Sequence, residues 1–477
     1  MSDIKNDVAM KDVDSVVDET NSLVKEIEQS FILLGKAATN FDNRYISKVF
    51  RDLGPLRRKL NKDVLPIVIK NAYVDDPDSK KMLLEAIGTD DMDIDVDGES
   101  KDIELTPEIE LYTHLLVQVY LLDHKEYQKL NVLNDGIIKL MKSYNRRSLD
   151  FIQSKIWFYI CRTKELLGDF YSIRPELLSS LRTATLRHDT ETTASIITLL
   201  LRNYLLVHDV TLASNLVEKT EFPENAGNAL VARYYYYLAK INAIQLDYST
   251  AHECVTVAIR KAPQTKLANG FIQSATKLSI IIELLMGDIP ELKVFKKQAG
   301  NFEPYFYVTR AVKLGDLKVF GDVLNTYEKL FKNDDNFTLV ARLRQNVIKT
   351  GIRIISLSYS KISLKDICIK LHLDSEELTE YIVSKSIRDG VIEATINHEK
   401  GFMQSKELLD VYSTKLPQTE FDQRIKFCLS LHNDSVKAMR YPSDSVDKVE
   451  AGKNLEKEDE IDLMMAIEEG DLDDFMD

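Results

Sequence analysis

The fold this sequence predicts is all-α: a helical-repeat solenoid, then a compact helix–helix–hairpin module, then one long C-terminal helix. Three observations predict it. Glycine and proline are scarce, at 17 and 11 of 477 residues, and both are costly inside helices. Gly-Asp pairs fall between apolar helical stretches at Gly287-Asp288 and Gly315-Asp316, where paired helices need a turn. Strand-like patterning is confined to residues 391–403, bounded by Gly390 and interrupted by a turn.

In chain order, residues 1–20 are polar and nearly free of aromatics, which reads as a disordered acidic leader. Residues 21–230 read as N-terminal helical repeats, with Ile27, Phe31 and Leu34 at helical spacing. They are interrupted by an expected acidic loop at 75–104 and resume near Pro107. Phe222-Pro223-Glu224-Asn225 marks a break. The stretch after it resembles a tetratricopeptide-type helix pair: Tyr235, Leu238 and Ala239 on the first helix, Ala251, Val255 and Ala258 on the second, and Pro263 closing it. Asn242 stands where that repeat usually has an aromatic. Such arrays bury a core by stacking and leave long surfaces for other proteins; an ordinary all-α domain shares the local pattern.

Residues 362–403 change character. Ser363 is placed to cap a short helix carrying Leu364, Ile367, Cys368 and Leu371. Asp374 and Glu377 have capping-box spacing for a second helix. A strand at 391–396, a turn at 397–401 and a return at Phe402-Met403 complete a winged-helix pattern. A helix at 411–442 follows, with Phe421, Ile425, Cys428, His432 and Met439 near one stripe and Pro442 as its stop. Residues 443–477 read as an acidic, disordered tail.

The net charge of −14 is unevenly spread. Residues 1–20, 75–104 and 456–477 carry −4, −9 and −10, leaving +9 on the rest. A mildly basic body with acidic appendages favours solubility and offers a surface to an acidic partner. No apolar run approaches the ~18 residues of a membrane span, and the N-terminus has no signal-peptide pattern. Cys161, Cys254, Cys368 and Cys428 are far apart and read as reduced thiols. A cytoplasmic and nuclear protein is expected.

Chemistry-bearing motifs are few. There is no phosphate-binding loop and no HxH metal pair, so neither an enzyme nor a cofactor is expected. Asp93-x-Asp95-x-Asp97-Gly98 with Glu104 satisfies a calcium-loop pattern. Lys101 stands at a ligand position, however, and Pro107 interrupts the exit helix. In the tail, Leu463, Ala466 and Ile467 follow an acidic run and resemble a ubiquitin-interacting helix, with Gly470 in place of its serine. A winged helix invites a nucleic-acid reading, but the second helix of the module, 375–389, has a net charge of −2, which opposes phosphate contact.

A helical array fused to a winged helix resembles the PCI domain, shared by the proteasome lid, the signalosome and a translation initiation factor complex. KINAIQLDYSTA (240–251), RLRQNVIKTGIRIISLSYSKISL (342–364), SIRDGVIEATINHEKG (386–401) and SVKAMRYP (435–442) are similar to the proteasome-lid branch. The resemblance covers about residues 45–442 and leaves out the leader, the acidic loop and the tail; it makes 231–410 the PCI domain, with its helical part at 231–361. It implies a non-catalytic scaffold in a large hetero-oligomer. Winged helices would align edge to edge with neighbouring PCI subunits, C-terminal helices would gather in a bundle, and a small acidic disordered subunit would lie along the body. Docking and packing roles are expected for Arg342, Arg344, Lys349, Arg353, Arg388, Ile425 and Cys428, with no nucleic acid and no membrane as partner.

Overall fold

The computed structural model describes residues 3–40, 42–62, 64–73, 77–88, 105–296, 302–406, 412 and 414–439. The chain divides into two units, Met1–Ser358 with Leu364–Ser386, and Tyr359–Ser363 with Ile387–Asp477.

The first unit is helical. Its N-terminal part holds α1 (Asp3–Asn40), α2 (Asn43–Lys59), α3 (Val64–Ala72), α4 (Pro77–Ile87) and α5 (Pro107–Asp123). Then come α6 (Tyr127–Ser143), α7 (Asp150–Leu167), α8 (Arg174–Arg187), α9 (Thr190–Leu206) and α10 (Val210–Lys219). The array continues through α11 (Asn228–Ile244), α12 (Tyr248–Lys261), α13 (Asn269–Met286), α14 (Leu292–Lys296) and α15 (Glu303–Leu314). It ends with α16 (Leu317–Thr326), α17 (Glu328–Asn333), α18 (Phe337–Arg342), α19 (Arg344–Ser358), α20 (Leu364–Leu371) and α21 (Glu376–Arg388).

Two expectations are corrected here. The chain is helical from Asp3, where a disordered leader was expected. No glycine or proline occurs before Gly35, so the packed turns from Leu23 onward extend N-terminally at one hydrogen bond per residue. The expected loop 75–104 begins with α4, whose Leu83, Leu84 and Ile87 are buried. Treating the whole stretch as one acidic segment hid that apolar face.

Two cores share α11. One runs from Leu23 to Ile241 and includes Tyr234; the other runs from Ala239 to Val347. In the α11–α12 pair, Ala239, Ala251, Val255 and Ala258 are wholly buried, as the repeat pattern predicted. Small side chains here let two helices approach closely. Asn242, in the place of the aromatic, donates to Thr250 Oγ1 at 3.2 Å.

The second unit contains β1 (Lys361–Ser363), β2 (Ala394–Asn397) and β3 (Phe402–Ser405) in antiparallel order β1-β3-β2. Met403 pairs with both Ile362 and Ile396 and is fully buried. The Lys361 ammonium lies 3.8 Å from the centre of the Phe402 ring. Strand β1 was not expected, because three residues are too few to show an alternating pattern. In chain order β1, α20, α21, β2 and β3 follow the winged-helix sequence. The cap of α21 is Ser375 rather than Asp374: its Oγ accepts from Leu378 N at 3.2 Å. The unit also holds α22 (Leu416–Met439).

Candidate protein-docking surfaces

The basic run before the wing has two roles, and charge alone does not separate them. Arg342 ends α18 and donates through Nη1 to the carbonyls of Ala243 at 3.0 Å and Ile244 at 3.1 Å. Those are the last two carbonyls of α11, which have no partner within their own helix. Four residues on, Asn346 Nδ2 donates to the carbonyls of Leu284 at 2.7 Å and Leu285 at 3.1 Å, near the end of α13. Gly351 then meets the end of α15, where a Cβ would lie 2.7 Å from the Gly315 carbonyl oxygen. Gly315 itself has φ +69°, a conformation glycine adopts at little cost. Residues 342–351 therefore cross the C-terminal ends of α11, α13 and α15 in turn. Arg342 is a packing residue, and Asn346, which the sequence did not flag, is its counterpart one repeat on.

The turn between α17 and α18 ties the same three helices. Asp335 pairs with Lys240 of α11. Asp334 Oδ2 accepts from Lys277 of α13 and from the Tyr305 hydroxyl of α15, each at 2.8 Å. Asn336 Nδ2 adds a bond to the Tyr305 oxygen at 3.3 Å. Burial drives the Tyr305 hydroxyl well above its ordinary pKa, so it stays a donor. These partly exposed ion pairs stabilise little on balance but fix the register of the groups they join.

The other expected residues lie outward. Arg344 and Arg353 are exposed, and Lys349 is half-buried. Arg388 is exposed, with Asp389 at 3.6 Å. The outer face of α21 is acidic as expected, with Glu377 exposed and Glu380 half-buried. Ile425 and Cys428 stand exposed on α22, of which no residue is buried. Phe421 is 63 % exposed and Ile425 57 %. The calcium-pattern residues Asp93 to Glu104 and the tail residues Leu463, Ala466 and Ile467 lie outside the described residues.

A groove of about 450 Å³ opens between α7, α9, α11 and α13, lined in part by Phe158, Arg162, Glu165, Arg202 and Arg233. Glu165 pairs with both Arg202 and Arg162 at 2.6 and 2.8 Å, and the Arg233 guanidinium lies 5.7 Å from the Phe158 ring centre. One carboxylate among three guanidiniums leaves surplus positive charge. Burial, then the charge of Arg233, lowers the pKa of nearby Lys155.

Among the described residues no group of His, Cys, Asp and Glu is placed to hold a metal ion. Burial pushes the Cys254 thiol up to about 11 and Cys161 higher, the reverse of an activated nucleophile. Among the described residues no helix is long and apolar enough to cross a membrane.

Comparison with known proteins accounts for this architecture. The family described as "PSMD3-like, N-terminal TPR repeats" matches residues 16–309, and "PCI domain" matches 324–407. The family of the C-terminal region of proteasome regulatory subunits matches 410–474. These matches extend into the leader, the acidic segment and the tail, which the sequence blocks had left outside the resemblance. The chain is 44 % identical to a probable 26S proteasome regulatory subunit rpn3 of Schizosaccharomyces pombe, over 96 % of this chain and 93 % of that one. It is 44 % identical to the 26S proteasome regulatory subunit RPN3 of Saccharomyces cerevisiae, over 90 % and 87 %. Against a probable 26S proteasome non-ATPase regulatory subunit 3 of Drosophila melanogaster it is 42 % identical, over 97 % of each. These matches select the proteasome branch over the signalosome, the initiation factor complex and a nucleic-acid binder. The chain belongs to the PCI-domain family of the 26S proteasome non-ATPase regulatory subunit 3.

Proposed function

We propose that this chain is a non-catalytic scaffold in the lid of the 26S proteasome regulatory particle, supporting ATP-dependent degradation of ubiquitinated proteins by holding its neighbours in register. The observation that carries the reading is α22. It exposes Phe421, Ile425, Phe427, Leu429 and Leu431 and buries none of its residues. Apolar surface of that kind marks a site for another protein, and a bundle with the terminal helices of neighbouring subunits would cover it. Strands β1 and β2 lie at the two edges of the small sheet, and edge strands are templates for pairing with another chain. That suits edge-to-edge contact with neighbouring PCI subunits. Arg344, Lys349, Arg353 and Arg388 would steer that contact.

The small acidic, disordered lid subunit fits the groove that gathers Arg162, Arg202 and Arg233, where its carboxylates would meet surplus positive charge. Four cysteines without a disulfide suit the reducing cytoplasm and nucleus. The test is gentle purification of the tagged chain with its partners identified by native mass spectrometry. Recovery with lid subunits in equal amounts is expected. Recovery as a lone monomer, or in a complex without the proteasome's protease core, would overturn the reading. Charge reversal at Lys349 and Arg353 should reduce incorporation several-fold; full incorporation would remove their docking role.

A further inference from the structure

The groove between α7, α9, α11 and α13 holds more chemistry than positive charge alone. Its volume of about 450 Å³ falls within the roughly 300–1,000 Å³ of small-molecule sites. Arg162, Arg202 and Arg233 line it, and Glu165 is the one acid among the lining residues. Arg202 donates to Glu165 through Nε at 2.6 Å and Nη2 at 3.2 Å, and Arg162 donates through Nη1 at 2.8 Å. A guanidinium has five N–H groups, so these bonds hold both forks in place and leave other donors over. Arg233 is exposed and pairs with no carboxylate among the described residues. Three arginines against one glutamate leave the lining at +2.

The same groove is lined by four aromatic rings, Phe158, Tyr236, Tyr237 and Phe271, all of them half-buried. Tyr236 meets Phe271 edge to face, with centroids 5.5 Å apart and planes at 67°. The Arg233 guanidinium lies 5.7 Å from the Phe158 ring centre. Rings and guanidinium planes take flat bases by stacking, and guanidinium forks take phosphate oxygens in pairs. We propose that this groove binds a nucleoside polyphosphate, its base against the aromatic rings and its phosphates on the guanidiniums. A peptide spreads single charges along a chain, whereas a polyphosphate gathers several within reach of one arginine cluster. A peptide of acidic residues also brings no flat group for the rings. The chain has no phosphate-binding loop, so the ligand is held by side chains and is bound without being hydrolysed. This goes beyond the scaffold reading and makes the ligand a competitor of the acidic segment placed in the groove above.

The test is isothermal titration of the full chain, with EDTA present, against four probes: ATP, adenosine, tripolyphosphate and a 12-residue poly-Asp. Wild type is compared with R233E, F271A, F271Y and a control, R182E, which reverses an exposed charge on α8. Melting temperatures confirm that each variant folds. ATP should bind one to one, at least tenfold tighter than any of the other three probes. R233E should lose at least tenfold for ATP, and R182E less than twofold. F271A should lose at least fivefold for ATP with tripolyphosphate unchanged, and F271Y should restore the loss. Tripolyphosphate or poly-Asp binding as tightly as ATP would show that the groove reads charge alone and overturn the proposal. So would an absence of ATP binding, or equal loss in R233E and R182E, or an F271A loss shared by tripolyphosphate. The scaffold reading is scored separately, on co-purification of the wild-type chain with proteasome subunits, so either can fail while the other stands.

Discussion

Helices α13 and α22 are both long and both carry bulky apolar groups, yet one is packed by its own chain and the other is not. In α13, Leu278, Ile280, Ile281, Ile282 and Leu284 are buried, and its final carbonyls receive Asn346. In α22, Phe421, Ile425 and Leu429 remain exposed. A helix of the first kind owes its position to contacts within the chain. One of the second kind is held by a partner or pays for exposed apolar surface. The apolar face of α13 is thus covered within the chain, while α22, on the scaffold reading proposed above, is built for an assembly.

Breaking the first kind of contact should register as stability. Ile281→Ala is expected to cost about 2–5 kcal/mol in urea unfolding, whereas Ile425→Ala should change it by about 0.5 kcal/mol or less. Similar costs at the two positions would erase the distinction. Asp334→Ala comes next, at about 1–3 kcal/mol, because it strips a partner from both Lys277 and Tyr305. Gly351→Ala should cost about 1–3 kcal/mol by overpacking, since the added Cβ would meet the Gly315 carbonyl and a Leu371 methyl, both at 2.7 Å. A neutral result there would mean that α15 and α19 separate readily.

The smallest effect is a pH dependence. Burial, then the neighbouring Asp189, raises the pKa of Asp150 to about 7. The folded chain holds this proton more tightly than the unfolded one, so the group costs stability as pH rises from about 4 to about 7. Asp150→Asn should therefore melt above wild type at pH 8, with the gap closing toward pH 4. The side chain is only half-buried, so screening limits the gain to roughly 2 °C or less. An equal gap at both pH values would assign the effect to something other than this proton.

The repeat array was legible because its signals are local. Ala239, Ala251, Val255 and Ala258 sit at spacings that only a close helix pair explains, and all are buried. The inward role of Arg342 was not legible: its acceptors lie 98 and 99 residues away, and a basic run reads as surface until that contact is seen. Asn346 carries no charge and no periodic signal, and its acceptors are just as remote in kind. The Asp334–Asn336 turn looked like any polar linker for the same reason. Strand β1 is three residues long and depends on β3, some forty residues later, for its existence. For α22 the apolar stripe was readable, but exposure is a property of the folded chain, and only the structure shows that none of its residues is buried.

On the proposed scaffold reading, helix α22 serves assembly and not the stability of the chain. The most direct test is the variant F421E/I425E/L429E, measured twice: urea unfolding of the purified chain, and the fraction of tagged chain recovered with other proteasome subunits by native mass spectrometry. An unfolding midpoint within error of wild type is expected, together with a loss of at least tenfold in co-purification. Full co-purification, or a midpoint lowered as far as by Ile281→Ala, would contradict that division of labour.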